Sequence, residues 1–189
     1  MRQLNTGVIE VICGPMFSGK TEELIRRLRR AEIAKQRILV FKPKIDIRFD
    51  EIQIVSHSAQ KIPSIPIETP DDMVQYLEQL QSPIDLIGID EAQFFDHSLI
   101  PLVEQFANSG IRVILSGLDQ DSDGCPFGPM PNLLAIADLV TKQCAVCVVC
   151  GASATKSFRL KDRSTSQVFV GANDSYEARC RCCYHKGNA

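Results

Sequence analysis

Gly14-Pro15-Met16-Phe17-Ser18-Gly19-Lys20-Thr21 is the stretch that most restricts what this chain can fold into. It follows the apolar run Val8-Ile9-Glu10-Val11-Ile12-Cys13 and precedes Glu22-Glu23-Leu24-Ile25-Arg26-Arg27-Leu28, so a strand feeds a glycine-bearing loop that opens a helix. In that context the glycines let successive backbone N–H groups turn toward one centre, and the helix N-terminus adds positive potential. Lys20 then reaches the outer phosphates of a bound nucleotide, and the Thr21 hydroxyl is offered to magnesium. Gly14, Pro15, Met16, Phe17, Ser18, Gly19, Lys20 and Thr21 are therefore the first candidate nucleotide-binding residues.

Hydrophobic periodicity extends the pattern. A helix is expected over 20–36, with Leu24, Ile25, Leu28 and Ala31 on one face and a run of arginines on a solvated one. Ile38-Leu39-Val40-Phe41 reads as a buried strand, and Ser64-Ile65-Pro66-Ile67 as another short one. Pro70 opens a helix, Ile84-Asp85-Leu86-Ile87-Gly88-Ile89-Asp90 is a strand, 98–108 a helix, and Ile111-Arg112-Val113-Ile114-Leu115-Ser116 a strand. Strands alternating with helices imply an α/β fold with a parallel sheet and helices on both faces. Ligands of such sheets sit at the carboxyl ends of the strands, where both the loop and Asp90-Glu91 fall.

The grammar changes after Gly117 to a Pro/Gly-rich loop and a helical patch over 132–137, and beyond Leu139 to short strands and cysteine pairs with little helix. The expected division is a nucleotide-binding domain over 1–140 and a small metal-binding domain over 141–189.

An apolar strand ending in Asp, in a chain with a phosphate loop, supplies the acidic ligand of the nucleotide's magnesium, which points to Asp90 with Thr21. A second carboxylate beside it, Glu91, suits a base that takes the proton of an acceptor alcohol, or one that orients water in an ATPase, and spacing does not separate the two. Cys147-Val148-Val149-Cys150 and Cys180-Arg181-Cys182-Cys183 match a four-thiolate structural zinc site. Cys144-Ala145-Val146-Cys147 has the same spacing, but Gly151 favours the frame of Cys147 and Cys150, with Cys180 and Cys183 completing the set. Cys13, Cys125 and Cys182 read as packing or incidental thiols, and His185 as a solvated residue of the tail.

The 21 basic and 23 acidic residues leave a net charge of −2, which gives no general attraction to nucleic acid or to an anionic membrane surface. The first residues lack an apolar leader and no run is long enough to cross a bilayer, so the cytoplasm is the expected location.

The phosphate loop, Asp90-Glu91-Ala92-Gln93-Phe94-Phe95, Pro126-Phe127-Gly128 and the two cysteine pairs, in this order, closely resemble the zinc-containing type II thymidine kinases. The resemblance implies transfer of the γ-phosphoryl of ATP to the 5′-hydroxyl of thymidine, with deoxyuridine tolerated, giving dTMP in nucleotide salvage for DNA synthesis. It implies that Glu91 is the catalytic base, that Asp46 and Arg48 stand on the phosphate side, and that Asp90, Glu91, Ala92 and Gln93 border the nucleotide. It further implies a lasso loop from the zinc ribbon that closes over the nucleoside through Gln167, Val168, Phe169, Val170, Gly171 and Tyr176. Met16, Phe94, Leu118, Phe127 and Tyr176 are then the apolar walls around base and sugar. The chain departs from the family pattern at Ser122, where Phe is usual, and at Ala172, where Gly is usual.

The cofactors so implied are ATP, magnesium and structural zinc, and the assembly a homotetramer regulated by thymidine triphosphate. The competing expectation is an ATPase or nucleotide switch whose zinc ribbon binds another macromolecule.

Overall fold

A computed structural model of the protein describes residues 7–45, 53–55, 61–160 and 175–187. Strands β1 (Ile9–Cys13), β2 (Ile38–Pro43), β5 (Ile65–Ile67), β6 (Leu86–Ile89), β7 (Arg112–Gly117) and β8 (Leu139–Lys142) form one sheet in the order β5-β2-β6-β7-β1-β8. Every pairing in it is parallel. Strands β3 (Gln53–Val55) and β4 (Lys61–Pro63) pair antiparallel outside it.

Parallel strands covered on both faces must be apolar on both, and β1 and β7 show how the two cores are divided. Ile9, Val11, Cys13, Val113 and Leu115 face one core, which is closed by α2 (Pro70–Glu78), α3 (Leu99–Asn108) and α4 (Met130–Ile136). Ile12 and Ile114 face the other, closed by α1 (Lys20–Ile33) through Leu24, Ile25, Leu28 and Ala31. The buried residues of α3, Leu99, Leu102, Val103, Phe106 and Ala107, keep the helical spacing that makes one stripe. Gly88 on β6 lets α1 seat closely, since a Cβ there would lie 3.0 Å from Leu28 Cδ2. Helix α2 starts where the Asp72 carboxylate accepts the N–H groups of Glu68 and Thr69, each at 2.9 Å, and Pro70 occupies its first turn.

The arginine face of α1 is not uniformly solvated. The side chain of Arg26 is 58% exposed, whereas that of Arg27 is 11% exposed. Arg27 bridges Glu10 at 2.6 Å, Glu23 at 2.8 Å and the Thr141 hydroxyl at 2.8 Å. The cause is Glu10, an acidic residue buried in β1 on the side facing α1, which also pairs with Arg112 at 2.6 Å. A buried carboxylate has to be matched by cations, and Arg27 from α1 and Arg112 from β7 supply them.

After β8 come two small antiparallel pairs, β9 (Ala145–Val146) with β10 (Ser153–Ala154), and β11 (Lys156–Arg159) with β12 (Tyr176–Arg179). Ala145, Cys147, Ala154 and Ala178 form their core. The chain then forms α5 (Arg181–Gly187), a helix where little helix was expected. Its start is seeded by the cysteine turn: Cys180 accepts the N–H of Tyr184 on its carbonyl at 2.9 Å and that of Cys183 on its sulfur at 3.4 Å.

Candidate active site

The carboxyl ends of β1, β6 and β7 lie side by side, because Cys13 is level with Gly117 and Ile89 with Leu115. The phosphate loop leaves β1, Asp90-Glu91 leaves β6, and Leu118 follows β7, so three segments distant in the sequence meet at one edge.

The loop's conformation is demanding. Gly14 and Gly19 take φ of 147° and 80°, and Gly19 is the residue that caps α1. Phe17 adopts φ of 65°, a left-handed conformation uncommon for a residue with a side chain. Lys20 Nζ reaches back across the loop to the Pro15 carbonyl at 2.8 Å, which the Ser18 hydroxyl also reaches at 2.8 Å. Beneath it burial, with the Asp119 carboxylate, pushes the Cys13 thiol up to about 11, so it packs as a neutral group.

Asp90 is buried and held from three sides. Its Oδ1 accepts the Ser116 hydroxyl and, at 3.0 Å, the N–H of Glu91, while Thr21 Oγ1 donates to its Oδ2 at 3.3 Å. Thr21 and Asp90 are thus neighbours, with oxygen atoms suited to a hard cation. Glu91, half-buried, has φ of 50° and caps a single 3₁₀ turn over Ala92–Phe94. Its carboxylate is held by Gln93, which is 2% exposed: Gln93 Nε2 donates to Glu91 Oε2 at 2.5 Å and Gln93 Oε1 accepts the Leu118 N–H at 2.9 Å. Gln93 therefore turns inward, toward Glu91 and β7, and Ala92 is fully buried.

Phe94 and Phe127 meet edge to face with ring centres 5.6 Å apart, Leu118 is buried, and Met16 lies half-buried on the loop. The segment after β7 doubles back through the Gln120–Pro126 bridge. It is tied to the C-terminal part by Lys156 Nζ to Gln120 Oε1 at 2.6 Å and by the Tyr184 hydroxyl to the Ser122 carbonyl at 2.7 Å. Ser122, a departure from the family pattern, makes this contact with its backbone. Tyr176 is buried on β12, where its hydroxyl accepts from Arg159 Nη2 at 3.0 Å. Asp46, Arg48, Gln167, Val168, Phe169, Val170, Gly171 and Ala172 lie outside the described residues.

The sulfurs of Cys147, Cys150, Cys180 and Cys183 lie within 4.8 Å of one another. The Cys150–Cys180 separation of 3.7 Å is close to the edge of a tetrahedron with zinc–sulfur bonds of about 2.3 Å. The turn between the first two closes with Gly151 at φ of 74° donating its N–H to the Cys147 carbonyl at 2.8 Å. Cys144 and Cys182 stand outside this group and are exposed, and the His185 ring packs edge to face on Tyr184 at 5.5 Å.

Ser116, Ser157 and the inward role of Gln93 were not singled out from sequence. Ser116 ends a recognised strand and could have been found there, but Ser157 has no motif and reaches the loop from 141 residues away.

A family model described as thymidine kinase matches residues 7–184. The thymidine kinase of Porphyromonas gingivalis is 52% identical over 183 residues, covering 97% of this chain and 87% of that protein. Those of a Rhodothermus species and of Bacteroides fragilis are each 52% identical over 180 residues, covering 95% of this chain and 82% and 88% of the relatives. With half the residues shared along nearly the whole length and the family model spanning phosphate loop, acidic pair and cysteine cluster alike, the chain belongs to the thymidine kinase family.

Proposed function

We propose that the protein is an ATP-dependent thymidine kinase, moving the γ-phosphoryl group to the 5′-hydroxyl of thymidine, with deoxyuridine tolerated, to give dTMP for nucleotide salvage. The observation that carries this reading is the placement of Glu91 at the end of β6, next to an Asp90 that is hydrogen-bonded to Thr21 of the phosphate loop.

Phosphoryl transfer asks little covalent chemistry of a protein and much positioning. The loop amides and Lys20 hold the phosphates. Thr21 and Asp90 would hold magnesium, which when bound neutralises charge on the transferring group. Glu91 accepts the proton of the 5′-hydroxyl as the new bond forms, held by Gln93 so that one carboxylate oxygen stays fixed. Phe94, Phe127, Leu118 and Met16 offer apolar contact to base and sugar, with Tyr176 on β12 and the lasso residues completing the enclosure. Asp46 and Arg48 serve the phosphate side.

The four cysteines would hold structural zinc, since four thiolates leave no open position for catalysis. The chain divides after β8, a little beyond the expected residue 140, into a nucleotide-binding part and this ribbon. The working form is a cytoplasmic homotetramer, and no nucleic acid or membrane takes part. No helix among the described residues is long and apolar enough to cross a membrane.

The test is ATP consumption with and without thymidine, in the natural protein and in Glu91→Gln. Consumption should require the nucleoside, and the variant should bind ATP normally while losing about 100- to 10,000-fold in turnover. ATP hydrolysis indifferent to thymidine would favour an ATPase or switch instead.

A further inference from the structure

The phosphate loop is supported from behind by the C-terminal ribbon at three of its first four positions. At Gly14, the chain leaving β8 passes so close that a Cβ would lie 2.3 Å from the Gln143 carbonyl oxygen. At Met16, the backbone N–H donates to the hydroxyl of Ser157, a buried residue of β11, at 3.0 Å. At Phe17, the ring packs against the ribbon core of Ala145, Cys147, Ala154 and Ala178, beside Cys180 and Cys183.

These contacts answer a physical need. A residue with a side chain pays about 1–2 kcal/mol to hold the left-handed conformation that Phe17 adopts. Such a conformation persists only where the surroundings over-determine it. The packing of Phe17 against the ribbon core supplies that, and the Ser157 bond fixes the Pro15–Met16 peptide just upstream. The ribbon core is in turn closed by cysteines of the four-sulfur cluster.

We propose that Ser157 is a positioning residue for polyphosphate binding, and that the cysteine-clamped ribbon braces the phosphate loop in its nucleotide-ready conformation through Ser157 and the Phe17 socket. This rests on reading Gly14 to Thr21 as the phosphate cradle. The brace lowers the cost of binding by paying the loop's ordering before the nucleotide arrives. It acts on the ATP side of the reaction, through the backbone of the loop at Met16 rather than through the side chains that wall the nucleoside.

The metal-replete full-length enzyme tests this by a split in Michaelis constants. Ser157→Ala should raise the KM for ATP about fivefold, the value of one lost hydrogen bond, with the KM for thymidine within about twofold. Ser157→Thr, which keeps the hydroxyl, should restore most of the ATP affinity. An unchanged KM for ATP, or an equal rise for both substrates, would overturn the proposal. A measurement free of substitutions runs alongside: amide hydrogen exchange in the natural, nucleotide-free enzyme. The Met16 amide should exchange as slowly as the Cys147 amide, which is bonded inside the ribbon to the Ala152 carbonyl at 2.8 Å. Exchange of Met16 at the rate of an open loop amide would overturn the brace. Thymidine-dependent ATP use by the natural enzyme is unaffected by either failure, so the brace and the kinase assignment fall separately.

Discussion

Gln93 holds Glu91 from inside the molecule, donating to Glu91 Oε2 at 2.5 Å while taking the Leu118 N–H at 2.9 Å on its own carbonyl. One buried amide thus ties Glu91 to the strand end that precedes the loop carrying Phe127. Main-chain crowding leaves Gln93 little choice of position, because a Cβ at Gly128 would lie 2.3 Å from its backbone oxygen and one at Gly117 would lie 2.8 Å from its Oε1.

Gln93→Met should therefore lower kcat for thymidine by about 10- to 100-fold, since a base displaced by a fraction of an ångström loses its alignment with the hydroxyl. KM for ATP should change little, because among the described residues the Gln93 side chain bonds Glu91 and Leu118 rather than the phosphate loop. Gln93→Glu should be worse than Gln93→Met, as it sets two carboxylates against each other. Steady-state kinetics on both variants check this ordering.

Glu10 gives a stability prediction remote from the chemistry. Its side chain is 7% exposed and faces Arg27 and Arg112, each at 2.6 Å. Glu10→Ala leaves the nearly buried Arg27 with Glu23 as its remaining carboxylate. Breaking a buried pair from one side costs about 3–5 kcal/mol. The lower end is expected here because Arg112 is partly exposed and can turn to water. Urea unfolding at neutral pH, with the midpoint compared at constant slope, measures it.

The acid sensitivity of α1 follows from Glu23. The hydrogen bond from Arg26, with that from Arg27, lowers the Glu23 carboxyl from 4.5 to about 2. A carboxyl depressed on folding stabilises the protein fully above its unfolded value, and that stabilisation fades as pH falls from about 4.5 toward 2. Glu23→Gln should thus be less stable than the natural protein at pH 7, and the gap should close across that acid window. Added salt should narrow it too, because Arg26 is largely exposed. Denaturation midpoints taken from pH 7 to pH 2 at two salt concentrations test both statements.

Much of this was legible without coordinates, and the limit has a physical pattern. The loop, the strand ending in Asp90 and the spacing of Cys147, Cys150, Cys180 and Cys183 are signals in which local sequence dictates local geometry. The parallel sheet followed from the alternation of apolar strands with striped helices such as α3. What escaped were contacts between segments distant in the chain. Arg27 looked like its exposed neighbours because nothing near it in sequence reveals a buried Glu10. The final helix escaped because the cysteine turn, rather than helix propensity, starts it. Ser157 could not be found, since a lone serine in a short strand carries no pattern.

The cysteine cluster offers a prediction in which the unused cysteines serve as controls. Cys150 and Cys180 lie 3.7 Å apart in the four-sulfur group, while exposed Cys144 and Cys182 fall outside it although both are close in sequence to members. Purified protein should contain about one zinc per chain, and Cys150→Ser should lose most of it, with Cys144→Ser and Cys182→Ser retaining it. In Cys150→Ser the ribbon should loosen while the main sheet persists, since Ala145, Cys147, Ala154 and Ala178 are too small a core to fold alone. Metal content by atomic emission and a lowered melting temperature would register the loss. Zinc retained by Cys150→Ser but lost from Cys144→Ser would show that the other cysteine frame holds the metal.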